Sequence, residues 1–146
     1  MIAFSNCDEN SLDKVSIGLL KELCNITNAK IVISSTWRML YKEDEFISIF
    51  AKYDWDDFPI IDITPINYGE SHRGQEIQLW LNENTIESYI ILDDDSDILE
   101  SQTDRFIHIS RINGFRCEDY CKALRLFGRP DDQLENMVNF KGDPNE

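Results

Sequence analysis

Four of the five residues that follow an apolar segment ending at Leu92 are aspartates: Asp93, Asp94, Asp95 and Asp97. Carboxylates this close repel one another and resist ionising together unless a cation or solvent relieves them. Clusters rich in carboxylate oxygen suit Mg²⁺. The position of the acids, immediately after a segment typical of a buried strand, favours a metal site over the alternative of a solvated acidic turn.

Hydroxyl groups and a cation follow a second apolar segment that ends at Ile33; they are Ser34, Ser35, Thr36 and Arg38. Hydroxyls and backbone N–H groups at such a strand-to-loop turn can hold a phosphate oxygen. Serine and threonine are also ordinary turn and cap residues. Taken alone, these residues favour the cap or turn, and the phosphate site becomes the better interpretation only in combination with the acids.

Arg73 stands beside Gly74 at the expected start of a helix. A guanidinium and a helix N-terminus both favour an anion, so this position suits a phosphate. The alternative is an arginine that pairs with Glu76 on the surface of the same helix. The sequence alone supports both interpretations equally.

The elements that must position these residues alternate between helix and strand. Apolar residues at helical spacing predict helices over residues 11–27, 43–53, 73–82 and 117–127. Short segments rich in branched apolar residues predict strands over residues 29–34, 59–64, 88–92 and 105–109. This alternation is typical of an α/β layer fold with a mostly parallel sheet. Binding sites in such sheets lie at the carboxyl ends of strands, here after Ile33 and after Leu92.

Composition limits the classes of protein to which the chain can belong. Its 146 residues suffice for one domain, which we place at residues 1–128, with an acidic tail at 129–146. The net charge of −14 argues against an extended nucleic-acid groove but not against a local phosphate site. No apolar run approaches the roughly 20 residues of a membrane span, and the N-terminus lacks a signal-peptide pattern. We therefore expect a cytoplasmic protein without a membrane partner.

The four cysteines predict neither disulfides nor a strong metal site. Cys24 lies in an apolar helical pattern and is expected in the core. Cys117 and Cys121 share a helix face, but two cysteines without a second pair of ligands are a weak zinc signal.

The chemically suggestive segments together resemble a branch of the haloacid dehalogenase (HAD) superfamily. This branch occurs as a domain of Swiss army knife RNA repair proteins and as short stand-alone phage and bacterial proteins. The resemblance runs from about Val15 to Phe127 and rests on four segments in order: residues 29–38, Thr64 with Pro65, residues 73–81 and residues 89–95. It implies a three-layer, Rossmann-like α/β fold with a mostly parallel sheet and no cap domain.

The resemblance also implies a role for each candidate residue. Ser35 or Ser34, beside Thr36, would hold the phosphoryl group, and Arg73 would stabilise the phosphate during transfer. The Mg²⁺ ligands would be Asp93, Asp94 and Asp97, of which the first and last match the superfamily's Asp-x-x-x-Asp spacing. The implied reaction is hydrolysis of a phosphomonoester through an aspartyl-phosphate, with Mg²⁺ and arginine taking the developing charge. The substrate would be a phosphorylated small molecule or a nucleic-acid end.

The chain departs from the family at its opening motif, a strand that ends in Asp-x-Asp-Gly-Val. The nearest segment here is Asn6, Cys7 and Asp8. The Asn6 amide would replace the nucleophile and cannot form the acyl-phosphate, whereas Asp8 could keep the acid/base place. Either the natural chain begins upstream of Met1, or residues 1–5 form a shortened central strand in a non-catalytic relative. The latter would be a phosphate-binding, metal-binding or acidic interaction module, such as a phage or bacterial accessory protein.

Overall fold

The computed structural model describes residues 12–66 and 72–128, and helices alternate with short strands throughout this part of the chain. The elements in chain order are α1 (Lys14–Thr27), β1 (Ile31–Ile33), α2 (Glu43–Ala51), β2 (Ile60–Ile63), α3 (Arg73–Glu83), β3 (Ile91–Asp93), β4 (Phe106–His108) and α4 (Cys117–Leu126). Two short 3₁₀ helices, Thr36–Met39 and Glu100–Arg105, were not predicted. The type of every predicted helix and strand is confirmed, although most of the ends differ by one to three residues.

Both pairs of described strands are parallel. β1 pairs with β2, with Ile33 opposite Ile63, and β3 pairs with β4, with Leu92 opposite Ile107. The expected α/β class with parallel strands is therefore confirmed. Because parallel strands end at the same edge, the residues after β1 and β2 meet there, as do the residues after β3 and β4.

Helix α1 begins later than predicted and buries only one of its faces. The helix starts at Lys14 with Asp13 as its N-cap, rather than at Ser11. Its buried face includes Ile17 and Leu20, whereas Val15 is 56% exposed. Val15 lies on the exposed face because it precedes Ile17 by two residues, roughly 200° around the helix.

The core forms between the strands and the apolar faces of the helices. Helix α2 buries Phe46, Ile49 and Phe50 in this core. Cys24 lies in the core as expected, and burial raises the pKa of its thiol to about 11, so it stays protonated at neutral pH. No helix within the described ranges is long and apolar enough to cross a membrane.

Asp13 stabilises the start of α1 and connects it to the start of α4. Its carboxylate accepts hydrogen bonds from the Val15 backbone N–H at 3.0 Å, from the Ser16 hydroxyl at 2.8 Å, and from the Arg116 guanidinium. Burial raises the pKa of Asp13, but the bonds from Arg116, Ser16 and Val15 outweigh it, and the net pKa is lowered. The ionised form is therefore the one that the fold favours.

Replacing Asp13 by alanine is expected to lower the free energy of unfolding by about 1 kcal/mol, the usual loss for an N-cap. Because the folded pKa is lowered, this stabilisation is present above the pKa of the unfolded chain. It is lost as the pH falls through the folded pKa. Urea unfolding of the wild type and of Asp13→Ala, at neutral and at acid pH, measures this. A stability difference that does not shrink in acid would contradict the assignment.

Candidate functional site

Two adjacent serines follow β1, and the structure gives them different roles. Ser34 and Ser35 are both fully buried. The Ser35 hydroxyl accepts a hydrogen bond from the Trp37 backbone N–H at 3.2 Å and caps the first 3₁₀ helix. The Ser34 hydroxyl has no hydrogen-bond partner among the described residues. Thr36 is exposed at the start of that 3₁₀ helix. Of the two serines, Ser34 is therefore the one whose hydroxyl no described residue satisfies.

Arg38 joins the ends of β1 and β2 to helix α3. Its guanidinium donates hydrogen bonds to the Ser34 carbonyl, to the Thr64 hydroxyl at 3.2 Å, and to the Glu76 carboxylate. The side chains of Arg38 and Glu76 are only 5% and 8% exposed. Sequence reasoning assigned no role to this contact. The position of Glu76, beside Ile77 on the apolar stripe of α3, was the signal that it needed a buried partner.

Arg73, the first residue of α3, lies against the end of β3. Its guanidinium donates to the Asp93 carboxylate at 2.5 Å. The alternative of a surface pair between Arg73 and Glu76 is wrong, because Glu76 is buried and forms its ion pair with Arg38. Asp93 is fully buried, and its other oxygen accepts the Asp95 backbone N–H at 2.9 Å. The structure thus brings together the cation and the first acid that the sequence singled out.

The two other predicted metal ligands have partners of their own. The Asp94 carboxylate accepts a hydrogen bond from Arg111 at 2.9 Å. The Asp97 carboxylate accepts the Arg73 backbone N–H at 3.2 Å and lies 3.2 Å from the His72 ring. Asp97 therefore faces the N-terminus of α3, where a carboxylate satisfies a free N–H group and is favoured by the helix dipole.

The described carboxylates do not by themselves fit a Mg²⁺ ion. Within residues 12–66 and 72–128, no three acidic, histidine or cysteine side chains are grouped so that they could hold a metal. Both Asp93 oxygens already accept hydrogen bonds, and Asp94 and Asp97 are paired elsewhere. The further predicted acid, Asp8, lies outside the described residues. The pair Cys117 and Cys121 belongs to no such group either.

Burial and neighbouring charges shape the protonation of this region. Burial raises the pKa of the Asp93 carboxyl, while Arg73 and the Asp95 N–H oppose the rise. Burial lowers the pKa of the Arg38 guanidinium, Glu76 opposes that, and the positive charge of Arg73 lowers it further. The two guanidiniums are thus close enough to repel each other. Of the two guanidiniums, Arg73 is the more exposed and is the one that an anion can reach.

The arrangement provides donors for a phosphate group. A guanidinium carries five N–H donors, and one donor of Arg73 is bonded to Asp93, which orients the group. The Arg73 side chain is 20% exposed, so a ligand can reach it. Ser34 supplies a buried hydroxyl after β1. Ser34, after β1, and Arg73, at the start of α3, are thus the described groups that offer donors to a phosphate.

Comparison with known proteins identifies the family. A model of the HAD domain in Swiss Army Knife RNA repair proteins matches residues 3–120. Neither a curated protein nor a solved structure gave a significant match. The match begins before Val15 and ends before Phe127, and so differs at both ends from the expected extent of the resemblance. It includes Asn6, Cys7 and Asp8, the segment nearest to the family's opening motif. The chain belongs to the family of HAD domains found in Swiss Army Knife RNA repair proteins.

Proposed function

We propose that the chain binds a phosphomonoester at the carboxyl edge of β1 and β3 and hydrolyses it as a HAD-like phosphatase. The observation that carries the proposal is the Ser34 hydroxyl, fully buried with no hydrogen-bond partner among the described residues. A buried hydroxyl without a partner costs stability, and most such groups in proteins are satisfied. A phosphoryl oxygen would satisfy this one.

The chemistry of the neighbouring residues supports the same proposal. Arg73 would donate to the phosphoryl oxygens and stabilise the charge that grows on them during transfer. Asp93 would hold that guanidinium in place from the fully buried end of β3. Membership of the HAD family suggests Mg²⁺ as the cofactor, which would neutralise phosphate charge when bound. Asp93, Asp94 and Asp97 stay the predicted ligands, although the described conformation pairs each with another group.

The substrate that we propose is a phosphorylated nucleotide or nucleic-acid end. The family's occurrence in RNA repair proteins supports this class. A net charge of −14 disfavours a long polynucleotide groove, because such grooves neutralise phosphates with lysine and arginine. A single terminal phosphate needs no such groove.

A second candidate function is phosphate binding without hydrolysis. It is favoured by Asn6 within the matched region, since an amide cannot serve as the carboxylate nucleophile of an acyl-phosphate. Asp8, two residues later, could act as an acid or base but would not replace that nucleophile. A third candidate function is that of an acidic interaction module, which would bind a partner through its net charge of −14.

Ser34→Ala is expected to weaken phosphate binding while leaving stability unchanged or slightly higher. The variant removes a hydroxyl that has no partner to lose, so little stability depends on it. Ser35→Ala is the matched control, because it removes a cap and is expected to cost about 1 kcal/mol of unfolding free energy. Calorimetric titration with inorganic phosphate and urea unfolding measure the two effects. Equal phosphate affinity in the wild type and Ser34→Ala would overturn the proposed site.

Turnover separates the two candidate functions. Phosphate release from an aryl phosphate and from a 3′-phosphorylated oligonucleotide would be followed with and without Mg²⁺, beside Asp93→Asn. Asp57→Asn, a change at an exposed acid between α2 and β2, is the control. Mg²⁺-dependent release that Asp93→Asn abolishes and Asp57→Asn spares is the result expected of a phosphatase. Phosphate binding without release would instead identify a binding module.

A further inference from the structure

Arg38 has more contacts than a simple ion pair requires. One terminal nitrogen donates to both the Ser34 carbonyl and the Thr64 hydroxyl, and the other donates to Glu76. These three acceptors belong to the end of β1, the end of β2 and the first turns of α3. Its Nε–H group is buried without a partner among the described residues. The network therefore fixes three elements relative to one another through a single side chain.

Two of these acceptors lie in the same residue or the same helix as a proposed phosphate-binding group. The Ser34 carbonyl belongs to the residue whose hydroxyl we assign to the phosphate. Glu76 lies three residues after Arg73, on the same side of α3, because residues three apart are neighbours on a helix surface. The position of the Ser34 hydroxyl relative to the Arg73 guanidinium therefore depends on the geometry of Arg38. A planar guanidinium suits this task because its donors are held in a rigid fork, whereas those of lysine are not.

We infer that Arg38 is a positioning residue that sets the separation between the Ser34 hydroxyl and the Arg73 guanidinium at the phosphate site. This inference rests on the proposed function of the site. Arg38 itself does not touch the ligand, since its side chain is only 5% exposed and its terminal nitrogens are bonded to protein. Its effect on phosphate passes through the Ser34 hydroxyl, which it places relative to the Arg73 guanidinium.

A purely structural ion pair would behave differently. Loss of such a pair lowers stability, but the molecules that stay folded would bind phosphate as the wild type does. A positioning residue changes the phosphate affinity of the folded protein, and the change depends on the residue through which it acts. Coupling between Arg38 and Ser34 in a double-mutant cycle therefore distinguishes the two cases.

The experiment is a calorimetric titration of the full chain with inorganic phosphate, at a temperature where circular dichroism shows every variant folded. Arg38→Lys is expected to weaken phosphate binding about tenfold in the wild-type background. In the Ser34→Ala background the same substitution is expected to change affinity by less than about twofold, because the group that it positions is gone. Arg125→Lys, at an exposed arginine of α4, is the matched control and should leave affinity unchanged.

A second variant keeps the test decisive if Arg38→Lys does not fold. Thr64→Val removes one acceptor of Arg38 and leaves the contact with Glu76 in place. It should weaken phosphate binding by a smaller factor, again only where Ser34 is present. Equal effects in both backgrounds, or wild-type affinity in Arg38→Lys and Thr64→Val, would overturn the inference while the proposed site stands. A wild-type protein that binds no phosphate, with or without Mg²⁺, would overturn the proposed function and the inference with it.

Discussion

Glu76→Gln is expected to lower the free energy of unfolding by about 3 kcal/mol, the scale found when one partner of a buried ion pair is removed. The carboxylate is 8% exposed and is the counter-charge for a guanidinium that is 5% exposed. Without it, the Arg38 charge would stay buried beside the positive charge of Arg73, which already lowers the pKa of Arg38. Urea unfolding at neutral pH measures the loss.

Glu118→Gln provides the matched control for this prediction. Glu118 pairs with Lys122 one turn along α4, at 3.4 Å, but the two side chains are 82% and 51% exposed. Exposed pairs of this kind contribute less than about 1 kcal/mol. Replacing both partners of the buried pair, as in Arg38→Met with Glu76→Leu, should restore part of the stability that either single substitution removes. Similar losses in Glu76→Gln and Glu118→Gln would show that the Arg38 pair is not buried as described.

Gly74→Ala is expected to destabilise the protein by about 2 kcal/mol, although alanine is the better helix former. A methyl group at this position would lie 2.6 Å from the Leu99 backbone nitrogen and 2.8 Å from the Ile98 Cα atom. Both obstacles are backbone atoms, so they cannot turn aside as a side chain would. The first turn of α3 would have to move, and Arg73 would move away from Asp93 with it. We therefore expect a loss of phosphate affinity together with the loss of stability.

Gly18→Ala is the control for the substitution at Gly74. Gly18 lies on the exposed side of α1, and a methyl group there would meet nothing within 4 Å. The gain in helix propensity, up to about 1 kcal/mol, should then appear as higher stability. Opposite signs for the two glycines in thermal or urea unfolding are the expected result. A stabilising Gly74→Ala would contradict the close approach of α3 to residues 98 and 99.

Local periodicity was enough to predict the elements and the edge at which the candidate site lies. Apolar residues at helical spacing predicted α3, whose buried residues include Ile77 and Trp80, and the apolar run before Asp93 predicted β3. These signals are local, because they depend only on which side of an element faces the core. The start of α1 was missed because Asn10, Ser11 and Asp13 all suit an N-cap and only the fold selects Asp13.

The partners within the site could not be predicted, because they depend on residues far apart in the chain. The sequence offered Arg73 a phosphate or Glu76 as its partner, whereas the pairing with Asp93 follows from the docking of α3 on β3. Ser34 and Ser35 are identical in type and adjacent, so only the cap at Trp37 separates their roles. The acidic run predicted a metal site by density alone, whereas Asp93, Asp94 and Asp97 each have other partners.

The large sequence separation between Arg38 and its acceptors has a consequence for how the protein folds. Its acceptors Thr64 and Glu76 lie 26 and 38 residues away, so no local fragment can contain the whole network. Contacts over such separations form only after the loops between them have closed, late on the way to the native state. A ligand at the phosphate site that this network positions would bind the native state but not the transition state. It would therefore slow unfolding and leave the folding rate unchanged.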